Sequence, residues 1–571
     1  MKHLFLILCL ILLGNTLTAQ LILKENLSKK QSTYWDFQQK QLLSVGSFFK
    51  DDKEVTTDKH GQWLFYDRLG NLEEERNFFR GKVHGKVMTY LPGKQPQNEG
   101  YFYLGLQDSV YREWNDQGKL VLEGWYDLGV AIGEWKYFYP NGRSKSVEEI
   151  TEKTNKIVSF WLNDSLHTQT ISNGNGTLMT YYNSGRLKES FTYVSGLKDG
   201  PFVEKNAQDI AMTQGFFKLG KKDSTWLFQY SNGLKEKECG YKNDSLHGLS
   251  TSYFNTGKMS VQGMYVNGQK TGSWTWYLPN GNRDMSGTFK ENQQHGDWVY
   301  WYDSGEISYT AHYDKGLRTG QWTYLYKNGE KFKEGSYEKD KKSGKWFTWY
   351  EDGTLLMEGA YIDGKEDGVW NNYWENGKLK NTTTFKDGEM NGKWTSYYEN
   401  GKIKLTGYYK DNFKVDEWIS YFENGKPKDV YHYKIFKEKS KIDYGVMKDR
   451  VHRESLEDGV SISFSKKDYN RTEEGMYKRG KKDGQWVAYH PGGKLPAVVS
   501  NYADGELNGS MKQYDRRGKL LQEMDFKDGV KHGRFIVYDK RGKVLIEKKF
   551  DTGREVIEGQ NGPRQQFSPP R

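Results

Sequence analysis

Gly392-Lys393-Trp394-Thr395-Ser396-Tyr397-Tyr398-Glu399-Asn400-Gly401-Lys402-Ile403-Lys404-Leu405-Thr406-Gly407-Tyr408-Tyr409-Lys410-Asp411 is the stretch whose reading decides the fold class. With Gly392 as offset zero, offsets one to seven alternate and are rich in aromatics and threonine, as a strand requires. Asn400-Gly401 is the strongest short hairpin signal, and such a turn predicts positive φ at both residues. A second strand follows and ends near Tyr409. The unit is therefore a β-hairpin, with a loop such as Asp387-Gly388-Glu389-Met390-Asn391 leading into the next one.

The unit recurs. Glycines at offset zero stand 24 residues apart at Gly248, Gly272, Gly296, Gly320, Gly344, Gly368 and Gly392. The frame runs back through Ser224, Gly200 and Gly176 and forward to Asp416. A second block runs from Gly61 through Gly85 and Ser109 to Gly133. A third runs from Gly459 through Gly484 and Gly509 to Gly533, which makes nineteen units in all. A single hairpin cannot bury its own aromatic surface, but a row of hairpins can. The expected fold is all-β: an extended array of antiparallel β-hairpins forming one long twisted sheet that advances roughly 10 Å per unit.

Composition agrees with a sheet that has no thick core. Hydrophobic residues make up 35% of the chain, yet 15% is aromatic, too much for a disordered chain. With 63 glycines against 11 prolines, helix is disfavoured. The 85 basic and 75 acidic residues are interspersed, a formal charge of +10. No basic face of the kind a nucleic-acid reader carries is visible, so nucleic acid is not an expected partner. No apolar run long enough to span a bilayer follows the N-terminus.

Residues 1–19 read as a signal peptide, with a short positive start, the apolar run Leu4 to Leu13, and cleavage expected after Ala19. Export to the periplasm, cell surface or medium follows. One cysteine, Cys239, then remains, so no internal disulfide is expected. Residues 20–45 read as an atypical N-terminal capping unit, 46–142 as repeat block 1, 176–427 as block 2 and 459–553 as block 3. The stretches 143–175 and 428–458 break the period and read as degenerate linkers, and 554–571 as a disordered tail.

The pattern resembles the MORN repeat, in the bacterial variant found in the YwqK family of antitoxins. The residues that carry the likeness are the Gly-x-Trp-x-x-Tyr strand, the Asn-Gly-Lys turn and the return seen from Gly335-Ser336-Tyr337 to Gly344-Lys345-Trp346. The resemblance implies a non-enzymatic repeat scaffold that binds a protein partner, antitoxin fashion included. Its alternative implication is recognition of a membrane surface.

Site chemistry is sparse. His60, His84, His247, His295 and His532 each precede a unit glycine. Units about 10 Å apart cannot share a metal whose ligands lie near 2 Å, so these read as a favoured loop residue. Asp363, Glu366 and Asp367 cluster without a calcium-loop pattern. No nucleophile elbow or phosphate loop is present. No catalytic residue, metal or cofactor is expected. The residues open to a binding reading are the offset-two tryptophans Trp274, Trp298, Trp322, Trp346, Trp370, Trp394 and Trp418, whose rings could stack on a ligand. The competing reading, which is preferred, is that they pack on one another. The expected partner is a protein in the cell envelope, with an envelope glycan or anionic lipid on the aromatic face as the alternative.

Overall fold

The computed structural model describes residues 26–439 and 451–557. The expected signal peptide, residues 440–450 and residues 558–571 lie outside the described residues. The chain divides into two units at Thr271/Gly272. In the first, the strands from Gln31–Tyr34 to Met259–Val266 pair antiparallel, each with the next in chain order. In the second, successive strands from Arg283–Lys290 to Pro427–Lys439 pair in the same way. Each unit is an open all-β sheet.

The repeat Lys341–Ile362 shows how sequence becomes structure. Its strands are Lys341–Trp349 and Leu355–Ile362. The connection between them is five residues long: Gly353 N–H donates to Tyr350 O at 3.0 Å and Tyr350 N–H to Thr354 O at 2.8 Å. The Asn-Gly turns follow the same plan. At Tyr398–Lys402, Gly401 has φ +87° while Asn400 does not enter the positive region. This corrects the expected two-residue turn: a type I turn followed by one left-handed glycine needs only one positive φ. The true two-residue turns are the links between hairpins, where Asp363 (φ +50°) and Gly364 (φ +84°) are both left-handed. The following strand starts at Lys365, three residues before the unit glycine Gly368.

Asn400 earns its frequency differently from the expectation. Its side-chain oxygen accepts the Lys402 N–H at 2.9 Å, and its amide donates to Glu423 O of the next turn at 3.1 Å. Asn328 does the same toward Glu330 and Glu351. Each hairpin is also fastened at both ends. The Tyr350 hydroxyl donates to Tyr373 O at 3.0 Å, and Gly364 N–H donates to Lys342 O at 2.9 Å. The hydroxyls of Tyr230, Tyr302, Tyr326 and Tyr398 make the same reach of 23 residues.

The unit glycines sit in β-bulges. Glu358 faces Asn371 and Ala360 faces Asp367, so Gly368-Val369-Trp370 lie opposite Gly359 alone. The bulge lays the Trp370 indole over Gly359, where a Cβ would lie 2.0 Å from the ring. The same seat recurs with Gly46 under Trp63, Gly215 under Trp226 and Gly407 under Trp418. The seated indoles then alternate edge-to-face with the aromatic at offset seventeen: Tyr337–Trp346 at 5.2 Å, Trp346–Tyr361 at 5.9 Å and Tyr361–Trp370 at 5.0 Å. Such pairs add stability beyond their buried area. The core of each sheet is this one-layer aromatic ladder.

The two stretches that break the period still carry strands. In the first unit, Asn155–Trp161 and Gln169–Ser172 form a shortened hairpin with a small core of Ile157, Phe160 and Ile171. In the second, Pro427–Lys439 pairs with Val451–Glu457, and Asp429 and Val430 pair with Ser463 and Ile462. The described parts of 428–458 are thus paired strands within the sheet. Of the expected tail, Arg554–Glu555 turns back on Phe550 and Asp551.

A charge ladder crosses the first unit. Glu99 lies between Lys86 (2.6 Å) and Arg112 (3.1 Å), and Arg112 in turn holds Glu123 at 2.7 Å. Burial pushes the Glu99 carboxyl up, but Lys86 and Arg112 outweigh it and hold the group below its ordinary value. A carboxylate depressed in this way contributes stability above its unfolded pKa and loses it as pH falls through the folded one. Glu99→Gln is therefore expected to be destabilising at pH 7, with the gap to wild type closing below about pH 4. Urea unfolding at pH 7, 5 and 3 checks this, and a pH-independent gap would refute it.

Candidate functional site

The structure places the offset-two tryptophans in the core. Trp274, Trp298, Trp322, Trp346, Trp370 and Trp418 are each 5% exposed or less. Their faces are covered by neighbouring rings, so they present no stacking platform to a ligand. Trp394 differs and is half-buried. The residue opposite it is Thr383 rather than glycine, so the seat is filled, and the indole leans on Trp418 at 5.6 Å. Elsewhere exceptions compensate. Cys239 occupies a glycine seat where the facing residue is Ser250, and the thiol is fully buried. Burial pushes its pKa up, away from reactivity.

Two of the histidines before unit glycines, His60 and His84, serve the turns. His60 Nδ1 accepts the Arg80 N–H at 3.2 Å, and His84 Nδ1 accepts the Leu104 N–H at 3.4 Å. Asp108, Asn175 and Asp199 do the same for the N–H groups of Leu128, Ser195 and Leu219. No group of three His, Cys, Asp or Glu among the described residues is placed to hold a metal ion. Asp363, of the carboxylate cluster, lies 3.5 Å from the Lys341 ammonium.

A surface able to receive a ligand lies on the other face of the first unit. In most repeats of the second unit, offset five on that face carries a large aromatic such as Trp301, Trp349 or Tyr373. In the repeats starting at Gly200 and Ser224 it carries Lys205 and Gln229. The missing rings leave a depression of about 500 Å³ over Thr192, Pro201, Val203, Gln214, Thr225 and Leu227. A second, of about 570 Å³, shares Thr225 and continues to Glu238, Leu249, Thr251 and Gln262. Together they make a trough across the strands. Its rim is apolar and exposed: Phe216 is 38% exposed, Leu249 53% and Met264 40%. Leu249 and Met264 are direct cross-strand partners, as are Pro201 and Phe216. The signal in the sequence was an absence, the loss of the offset-five aromatic in consecutive units, and a search for recurring residues passes over it.

The architecture defines a class: a one-layer array of antiparallel hairpins held by neighbour contacts, with side chains rather than backbone edges available along its faces. The chain is a MORN-repeat protein of the variant type: the model of the MORN repeat variant matches residues 59–79, 246–267, 294–315, 342–363, 366–387, 390–411, 417–434 and 507–528. The segment 342–363 is the hairpin described above together with its link residue Asp363. No curated protein matches the chain. Among solved structures, a TcdB2-TccC3 complex with Cdc42 is similar at 10% identity with a TM-score of 0.13, over 90% of this chain and 30% of that one. The Tc holotoxin pore of Photorhabdus luminescens is similar at 11% identity with a TM-score of 0.12, over 92% and 30%. This chain thus spans about 30% of the length of those chains, and likenesses of that quality carry no argument.

Proposed function

We propose that this protein is an exported, non-enzymatic scaffold that holds a protein partner of the cell envelope against the trough of its first unit. The observation that carries the reading is the exposed apolar rim, Phe216, Leu249 and Met264, beside a floor of Thr and Gln side chains. Exposed apolar surface beside satisfied polar groups is what a protein interface buries. An exported effector, neutralised in antitoxin fashion, is the finer reading of that partner, supported by the resemblance to the YwqK repeats. Export itself rests on the N-terminal sequence, Met1 to Ala19.

A photo-crosslinking residue at position 249 is expected to yield one discrete protein adduct in cells. The same probe at Gln321, an exposed polar position at the equivalent offset in the second unit, is expected to yield none. Leu249→Asp is expected to abolish capture by a probe at position 227. The same adducts from positions 249 and 321, or none from either, would overturn the reading.

A further inference from the structure

The repeat supplies its own controls, and one copy departs from them in charge. Two residues before the unit residue, many copies carry a basic side chain lying over the aromatic ladder. Lys222 sits 4.3 Å from the Trp226 ring centroid, Lys414 4.6 Å from that of Trp418 and Lys482 3.7 Å from that of Trp486. Lys342 is the equivalent residue over Trp346, at 4.9 Å, and its ammonium donates to the Tyr361 hydroxyl at 3.3 Å. Trp346 alone among these carries a second ammonium: Lys333 lies 5.3 Å from the same ring.

Lys333 stands in the preceding strand, opposite Thr348. The same register position is Leu122 before Trp135, Thr213 before Trp226, Met285 before Trp298 and Leu405 before Trp418. Before Trp486 it is Glu473, and there the carboxylate binds Lys482 at 2.8 Å. That copy shows where an oxyanion rests on the ladder: beside the ring-capping lysine, held by a charge-assisted hydrogen bond. At Trp346 the internal carboxylate is replaced by a second cation. Among the described residues, no carboxylate lies within ion-pair distance of Lys333 or Lys342. Arg318, over Tyr337 at 4.5 Å, adds positive charge nearby, although it is engaged by Asp340 at 3.0 Å. Burial, then Lys333, lowers the pKa of Lys342, and Glu366, the cross-strand partner of Tyr361, offsets this only in part.

We propose that Lys333 and Lys342 form an oxyanion site that takes the carboxylate of an acidic saccharide from outside the chain. The strands Lys331–Glu338 and Lys341–Trp349 are each paired on both sides, so a peptide cannot enter there as an added strand. Recognition is left to side chains: the two ammonium groups, with the Tyr361 hydroxyl, engaged by Lys342 and Glu366, beside them. A saccharide that presents a carboxylate together with hydroxyls matches that set. The site is separate from the trough and does not depend on the partner proposed for it.

The test is calorimetric titration of the full chain with a galacturonate hexamer, beside a neutral galactose hexamer, a hexaglutamate peptide and vesicles of anionic lipid. Lys333→Glu rebuilds the arrangement found at Trp486, and Lys333→Met the one at Trp298, so both have a folded precedent in this chain. Circular dichroism and urea unfolding confirm that each variant is folded. The expected result is binding of the galacturonate alone, weakened about tenfold or more in Lys333→Glu and less in Lys333→Met, as the loss of a charge-assisted contact implies. No binding of galacturonate, or binding undiminished in Lys333→Glu, would overturn the site. Equal binding of the neutral hexamer would overturn the oxyanion. Tighter binding of the peptide or the vesicles, lost in Lys333→Glu, would overturn the saccharide as its source.

Discussion

Gly359→Ala is expected to destabilise the second unit by about 2–3 kcal/mol, the cost of overpacking a closed site. The glycine lies beneath the Trp370 indole, and the new methyl carbon would fall 2.0 Å from one ring atom and 2.2 Å from another. The ring has nowhere to retreat. Its Nε1 donates to Ala360 O at 3.2 Å, and Tyr361 packs against it edge-to-face at 5.0 Å. The backbone of Gly359 is not left-handed, so the penalty is one of space. Gly368 provides the contrast: it is left-handed at φ +74°, and a Cβ there meets nothing within 4 Å. Gly368→Ala is therefore expected to cost only about 1 kcal/mol in backbone strain. Urea unfolding of both variants decides the matter. A Gly359→Ala cost no larger than that of Gly368→Ala would mean that the indole does not need the glycine.

The two glycines show what was legible in the sequence. The period of 24, the hairpins and the all-β class could be read because every unit repeats the same alternation, and the structure follows it strand by strand. The turns are the reverse of what the dipeptides suggest. Asn400-Gly401 looks like a two-residue turn when only the dipeptide is considered. Counting the residues between the strand ends, Tyr397 and Ile403, leaves five, which suits a single left-handed glycine. The positive-φ pair lies instead at Asp363-Gly364, in the link whose counterpart Asp387 to Asn391 reads from sequence as a five-residue loop. The glycine seats were also partly legible: Thr383 before Trp394 and Cys239 before Ser250 break the pattern where the packing changes. The trough was not, because its cause is two aromatic side chains that are missing. The Lys333 site was hidden for a related reason. A lysine in a lysine-rich chain carries no signal until register places it over the same ring as Lys342.

The tryptophans give the second large effect. Trp298→Ala is expected to cost about 3–5 kcal/mol, whereas Trp394→Ala costs less than half as much. Trp298 is 1% exposed and lies among Phe289 at 5.2 Å, Trp276 at 5.7 Å, Tyr313 at 5.9 Å and Tyr300 at 6.1 Å. Removing it leaves a cavity in a one-layer core, where no second layer can move in to fill it. Trp394 is half-buried, displaced from the usual seat by Thr383, and touches Trp418 and Tyr409 at 5.6 and 6.4 Å. Both residues occupy offset two, so local sequence pattern treats them alike, and the difference arises from one residue in the preceding strand. Because repeat arrays are stabilised mainly by nearest-neighbour contacts, the loss at Trp298 is also expected to be local. Hydrogen exchange should rise first in the strands Arg283–Lys290 and Ile307–Asp314 that flank it. Equal costs for the two variants would show that ring burial is not what holds the hairpins together, and the exposed aromatics would then have to be reconsidered as contributors to stability.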